Sequence, residues 1–301
     1  MRYSLCSRFR GTLLGAAVGG MLTHTSRDFF TVNTEIDANI SSSTTVDIPW
    51  ERLGTAVAQS LIQKEIVDVG PGYPYFSNTS RTINPIKVIL ASLPIALFYH
   101  DNETQLQSNL RQFVAWQHDP EIVAGILAVG YAIALSLQEK LQTASLIPLV
   151  VRFIEAPQLL LTQQLIQVKS LLEHQASLAK AVAVLGEQPS SAIALAFYCF
   201  LSSREDFQLS VKRAAIWKPH ISSITGALSG AYNATYSIPV NWRLALSCSP
   251  HKPLAVWGMH SEAEMLRLCD SLVAVWSGAY NHTGTIDEPM AIAAPHVIRP
   301  R

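Results

Sequence analysis

Trp217-Lys218-Pro219-His220-Ile221-Ser222-Ser223-Ile224-Thr225-Gly226-Ala227-Leu228-Ser229-Gly230-Ala231-Tyr232 is the stretch on which the reading of this chain turns. Its apolar and small residues recur at helical spacing, so a helix is expected over 221–233. The four residues before that helix, Trp217 to His220, offer no side-chain oxygen. Working outward, helical periodicity predicts further helices over 8–23, 50–65, 84–98, 104–116, 119–138, 144–154, 158–174, 176–184, 190–202, 206–216 and 261–278. Asp119-Pro120-Glu121 puts proline in a first turn and acids at the positive end of the helix dipole, and Ser203-Arg204-Glu205-Asp206 precedes an apolar-periodic segment, where a polar side chain can cap free amides.

Alternating β-branched runs hardly occur. Residues 28–48 are open to a short hairpin or an ordered loop, and 68–83, with Gly70-Pro71-Gly72-Tyr73-Pro74, are expected to be irregular. Residues 233–260 read as a loop-rich connection. No internal repeat or low-complexity linker divides the chain. The expectation is all-α: a single compact orthogonal multi-helix domain over 1–301, with its core at about 8–280 and an irregular tail over 281–301.

The chain is 49% hydrophobic and 15% charged, against about 25% charged in an ordinary domain. That balance excludes disorder and suggests extensive burial or an apolar partner surface. The 22 basic and 22 acidic residues cancel and no polybasic run appears, so nucleic-acid binding is not expected. Cys6, Cys199, Cys248 and Cys269 form no Cys-x-x-Cys pair and are read as reduced thiols of a cytoplasmic protein. The apolar run Ile122–Leu137 is short for a membrane span and is flanked by Asp119, Glu121 and Glu139, so a buried helix is expected and no membrane partner.

Several segments, in order, carry a family resemblance. Arg8-Phe9-Arg10-Gly11-Thr12-Leu13-Leu14-Gly15-Ala16-Ala17-Val18-Gly19-Gly20 opens the series; Gly11, Gly15 and Gly19 are four apart and share a face that another helix can approach closely. Gly54-Thr55-Ala56-Val57-Ala58-Gln59-Ser60-Leu61-Ile62, Leu93-Pro94-Ile95-Ala96-Leu97-Phe98, Ala192 to Leu201, and the opening stretch with Ile238-Pro239 and Trp242 follow. Together they resemble the ADP-ribosylglycohydrolase family, in its bacterial dinitrogenase-reductase-activating glycohydrolase-like form.

The resemblance implies an all-α fold and a reaction in which two magnesium ions, held by Asp and Thr oxygens, help water cleave an ADP-ribosyl bond at an oxocarbenium-like centre. Family members have an acid where Gly20 stands, a Thr-Asp-Asp segment whose acids align with Pro49 and Trp50, and Asp-Thr-Asp-Thr where Trp217-Lys218-Pro219-His220 stands. None of these replacements brings a carboxylate. Lys218 adds a positive charge, which at about 4 Å and an effective dielectric of about 20 repels a divalent ion by several kcal/mol. No magnesium and no other cofactor is therefore expected, and no His-x₃-His or His-Glu-x-x-His spacing marks a transition-metal site.

The residues marking the former pocket are Gly20, Trp50, Glu51, Trp217, Lys218 and His220. Two readings of its indoles stay open: they plug the cavity, or they form a slot in which a nucleotide-like ring stacks. The leading functional expectation is a non-catalytic relative kept for binding a nucleotide-like small molecule or a protein, with homo-oligomerisation possible. One alternative is an active or altered hydrolase using Asp47 and Glu51, since two carboxyls roughly 5–9 Å apart support metal-free glycoside hydrolysis. Another is a purely structural protein.

Overall fold

The computed structural model describes residues 3–30, 50–67, 85–116, 119–186, 188–217, 219–248, 257, 259 and 261–279. Within them the chain forms α1 (Leu5–Phe30), α2 (Trp50–Lys64), α3 (Pro85–Ala91), α4 (Leu93–Phe98), α5 (Glu103–Phe113), α6 (Pro120–Leu137), α7 (Thr143–Ile154), α8 (Leu160–Glu173), α9 (Leu178–Leu185), α10 (Pro189–Ser202), α11 (Phe207–Ala215), α12 (Pro219–Asn233), α13 (Val240–Cys248) and α14 (Glu262–Trp276). No strand occurs among the described residues.

The starts of these helices follow from their caps. The Asp119 carboxylate accepts the Glu121 amide at 2.9 Å, and Asp206 accepts that of Leu209 at 2.9 Å. Glu121 also reaches across to α8, where its two oxygens accept the Leu160 and Leu161 amides at 2.8 and 3.0 Å. Two carboxylates thus serve two first turns, Asp119 that of α6 and Glu121 that of α8, where N–H groups are otherwise left free.

The expected helix over 84–98 is broken at Ser92, which separates α3 from α4. Pro94 is the physical reason: it lacks an N–H, and its ring collides with the carbonyl four residues back if the helix continues. Residues 28–30, read as the start of a short hairpin or an ordered loop, instead continue α1. The remainder of that segment, 68–83 and the tail over 281–301 lie outside the described residues. The connection 233–260 contains a helix where none was expected: a 3₁₀ turn over Thr235–Ser237 leads into α13, held inward by Trp242 and Leu246.

α6 is long and apolar enough to cross a membrane by length and composition, yet 83% of it is buried within the molecule. It is a core helix, walled by α3, α4, α5, α7 and α12. The hydrophobic core runs from Phe9 on α1 through α6 to Val275 on α14.

The axis of the assembly is the crossing of α1 and α12. A Cβ added to Gly11 would overlap the Gly230 carbonyl, one on Gly15 the Gly226 carbonyl, and one on Gly19 the Ser222 carbonyl. The glycine face expected on α1 therefore meets a matching Ser222, Gly226, Gly230 face on α12, running antiparallel. The Ser222 hydroxyl closes the seam by donating to the Gly19 carbonyl at 2.7 Å.

Along its other side, α1 is tied to α14. The Arg10 guanidinium grips Asp270 through two hydrogen bonds of 2.7 and 2.6 Å, and the Cys6 sulfur lies 3.4 Å from the same carboxylate. Burial pushes the Cys6 thiol up to about 11, against the opposing pull of Arg10, and Asp270 adds to the rise. Cys199 is pushed up to about 12 by burial, and Cys269 is raised well above its ordinary value by the same cause. At pH 8 a thiol near 11 is ionised in only about one molecule per thousand, and the thiolate is the reactive form. In a Cys248→Ser background, native protein is expected to resist a thiol-selective disulfide reagent, whereas urea-unfolded protein releases three equivalents promptly. Rapid native labelling of Cys6 would contradict this account of its surroundings.

Candidate functional site

The site marked in the sequence lies where the later turns of α1 approach the first turn of α12. Gly19 and Gly20 reach this place because the glycine seam fixes the crossing. Beyond the seam, a Cβ on Gly20 would stand 3.1 Å from the Ser223 hydroxyl oxygen. Gly20 and the head of α12 are thus brought together. Ser222 and Ser223 are both buried there. With its hydroxyl spent on the Gly19 carbonyl, Ser222 is a structural donor rather than a nucleophile.

Trp217 behaves differently. It stands on the turn that closes α11, with its amide donating to the Ala214 carbonyl at 3.3 Å, and it is 42% exposed. Its neighbour Ile216 is 74% exposed. An indole so open to solvent does not plug a cavity, which corrects one of the two readings for this residue. Trp50 and Glu51 open α2 and His220 lies in the first turn of α12; their side chains, and all of Lys218, Asp47 and Pro49, lie outside the described residues.

α2 is seated by a residue that no sequence pattern singled out. Trp257 is 1% exposed and lies against Gly54, and Thr55 donates its hydroxyl to the Trp257 carbonyl. The glycine at position 54 was the available signal, since isolated glycines inside helices mark close approach. What approaches it comes from a connection without periodicity. A cleft of about 260 Å³ elsewhere, lined by Val123, Ala124, Leu127, Ile154 and Leu159 with Arg111 beside them, shares no residue with the marked site.

The profile of the ADP-ribosylglycohydrolase family matches residues 43–281, most of the chain. The chain belongs to the ADP-ribosylglycohydrolase family. A solved structure described as an ADP-ribosylglycohydrolase-related protein complex shares its fold, with a TM-score of 0.55 and 14% identity over 89% of this chain and 98% of that one. At that identity the likeness is one of fold alone. No curated protein matches the sequence.

The magnesium implied for an ADP-ribosylglycohydrolase does not fit the two marked positions whose side chains are described. A hard divalent ion requires oxygen ligands in near-octahedral array. Gly20 has no side chain, and the space its Cβ would enter is bounded by the Ser223 hydroxyl. Trp217 carries an indole N–H, which donates and cannot ligate. Among the described residues no three His, Cys, Asp or Glu side chains gather in a way that could hold a metal ion.

Proposed function

We propose that this protein is a member of the ADP-ribosylglycohydrolase family that does not perform the magnesium-dependent hydrolysis and serves as a binding or protein-interaction scaffold, in one domain and in the cytoplasm. The observation that carries the reading is the corner between Gly20 and Ser223. The α1–α12 frame that would hold ligands is packed backbone to backbone, yet the position facing the head of α12 is a glycine. Pro49, Trp50, Trp217 and Pro219 at the other aligned positions extend the same loss, and Lys218 reverses the charge. The frame persists because it is the core; its ligands are exchangeable because they are not. Function resides in the site rather than in the fold, so the fold's persistence does not argue for the reaction.

The exposed pair Ile216 and Trp217 favours interaction with another macromolecule over a plugged remnant. Contact hot spots are enriched in tryptophan, and large apolar side chains left in solvent mark such surfaces.

The test is a magnesium titration followed by thermal melting, run beside an assay for ADP-ribose released from ADP-ribosylated arginine. A site saturated at about 100 times its Kd would stabilise the fold by about 2.7 kcal/mol, a shift of several degrees. The expected result is a melting temperature unchanged within about 1 °C and release at the rate of the blank. Release above the blank, with or without magnesium, overturns the proposal.

A further inference from the structure

The outward face of α11 combines exposed apolar groups with two cations. Phe207, Ser210, Val211 and Ala214 face inward against α10 and α12. At about 100° per residue, Leu209, Lys212 and Ile216 fall on the opposite side with Arg213 on its flank, and Trp217, also exposed, stands on the closing turn. Leu209 is 46% exposed, so three large apolar side chains stand in solvent along one short helix.

Two cations run between them. The Lys212 ammonium lies 5.7 Å from the centre of the Trp242 ring, and the Arg213 guanidinium 5.7 Å from that of Tyr198. Neither forms an ion pair with a carboxylate among the described residues. The nearby acids are engaged elsewhere. Asp206 caps the helix, while Glu205 is held by Arg204 and by the Tyr232 hydroxyl at 3.1 Å.

We infer that α11 is a docking face for an acidic amphipathic segment of a partner protein. The apolar residues offer anchors of the kind that dominate interfaces. Held over a ring, each cation is already ordered, so pairing with a carboxylate costs less side-chain freedom. Arg213 adds the planar fork that suits bidentate carboxylate recognition. The alternative for a basic, apolar face is an anionic membrane, but two cations are few for that purpose. This inference stands on α11 and holds whether or not the Gly20 corner catalyses anything.

The experiment uses the full chain and three fluorescently labelled synthetic peptides, read by anisotropy. One is an amphipathic helix with leucines at i, i+4 and i+7 flanked by glutamates, one has lysines for the glutamates, and one scrambles the first. The glutamate peptide is expected to bind about tenfold more tightly than the others, and more weakly at about 0.3 M salt than at 0.05 M. Lys212→Gln with Arg213→Gln, and separately Ile216→Ser, should each weaken it about tenfold; the double variant loses two cation–π contacts and should melt only a few degrees lower, and Ile216→Ser should leave the melting temperature unchanged. Absence of binding at about 1 mM peptide, equal binding of the lysine or scrambled peptide, or indifference to these substitutions overturns the inference. So does retention on phosphatidylserine vesicles that depends on the same side chains. Because none of these variants touches Gly20 or Ser223, their outcome is separable from the hydrolysis assay.

Discussion

Gly226→Val is expected to abolish the cooperative thermal transition of this protein. Gly226 on α12 and Gly15 on α1 face one another so closely that a Cβ on either would overlap the other's carbonyl oxygen. The obstruction is backbone, so no rotamer change relieves it, and the helices must move apart. Gly11 with Gly230 and Gly19 with Ser222 share the seam, and separation at the centre opens both ends. Ordinary overpacking of a core costs about 1–3 kcal/mol. Here it is compounded by loss of the principal helix pair, and a total of about 5 kcal/mol or more approaches the whole stability of many domains, about 5–15 kcal/mol. Even Gly226→Ala should lower the melting temperature sharply. Gly20→Ala is the internal control, because its new Cβ meets only the Ser223 hydroxyl at 3.1 Å. That oxygen can rotate away, and alanine favours the helix by up to about 1 kcal/mol. Circular-dichroism melts of the three variants should rank them Gly20→Ala, Gly226→Ala, Gly226→Val in falling order. A Gly226→Ala protein melting within a degree or two of wild type would refute the close crossing.

The same seam separates what is legible in the residues from what only the fold supplies. The spacing of Gly11, Gly15 and Gly19 announces a close approach, but not which helix approaches; Ser222, Gly226 and Gly230 lie about 200 residues away. Helices with one strongly apolar face or a clear cap, such as α6, α8 and α14, match their expected ranges closely, because local periodicity and tertiary burial agree there. α13 escapes the periodicity because Val240 and Leu244 point to solvent, blurring the pattern that Trp242 and Leu246 set toward the core. The break at Ser92 is legible in Pro94 but is masked by the apolar residues that flank it on both sides. At the site, the lack of a carboxylate at positions 20, 49, 50 and 217–220 is a matter of residue identity and can be read directly. The outward position of Trp217 cannot, since whether an indole plugs a pocket depends on the turn that carries it. Similarly, the cationic stripe of α11 emerges only when Lys212 and Arg213 are seen to lie over Trp242 and Tyr198 rather than against acids.

Trp257→Ala is expected to cost about 3–5 kcal/mol, the range for truncating a large buried aromatic side chain, and to lower the melting temperature by about 10 °C. The indole is 1% exposed and rests on α2 where Gly54 leaves room for it. A Cβ on Gly54 would lie 2.5 Å from Cζ3 and 2.8 Å from Cε3 of that ring. A rigid ring held on all sides cannot yield such distances cheaply, so Gly54→Ala should itself destabilise the protein. In the Trp257→Ala background the sign should reverse. With the ring gone the methyl group meets a void, partly refilling it, and alanine replaces glycine inside a helix with a gain of up to about 1 kcal/mol. Urea unfolding of the two single variants and the double variant therefore measures the contact directly, and the coupling should exceed about 1 kcal/mol, as expected for residues that touch. Equal costs for Gly54→Ala in both backgrounds would mean that the indole does not sit on α2. The first turns of α2 carry Trp50 and Glu51, and Thr55 donates to the Trp257 carbonyl one residue after the contact. Loosening this seat should thus free the start of α2 while leaving the α1–α12 corner closed, since that corner is held by a seam in which Trp257 takes no part.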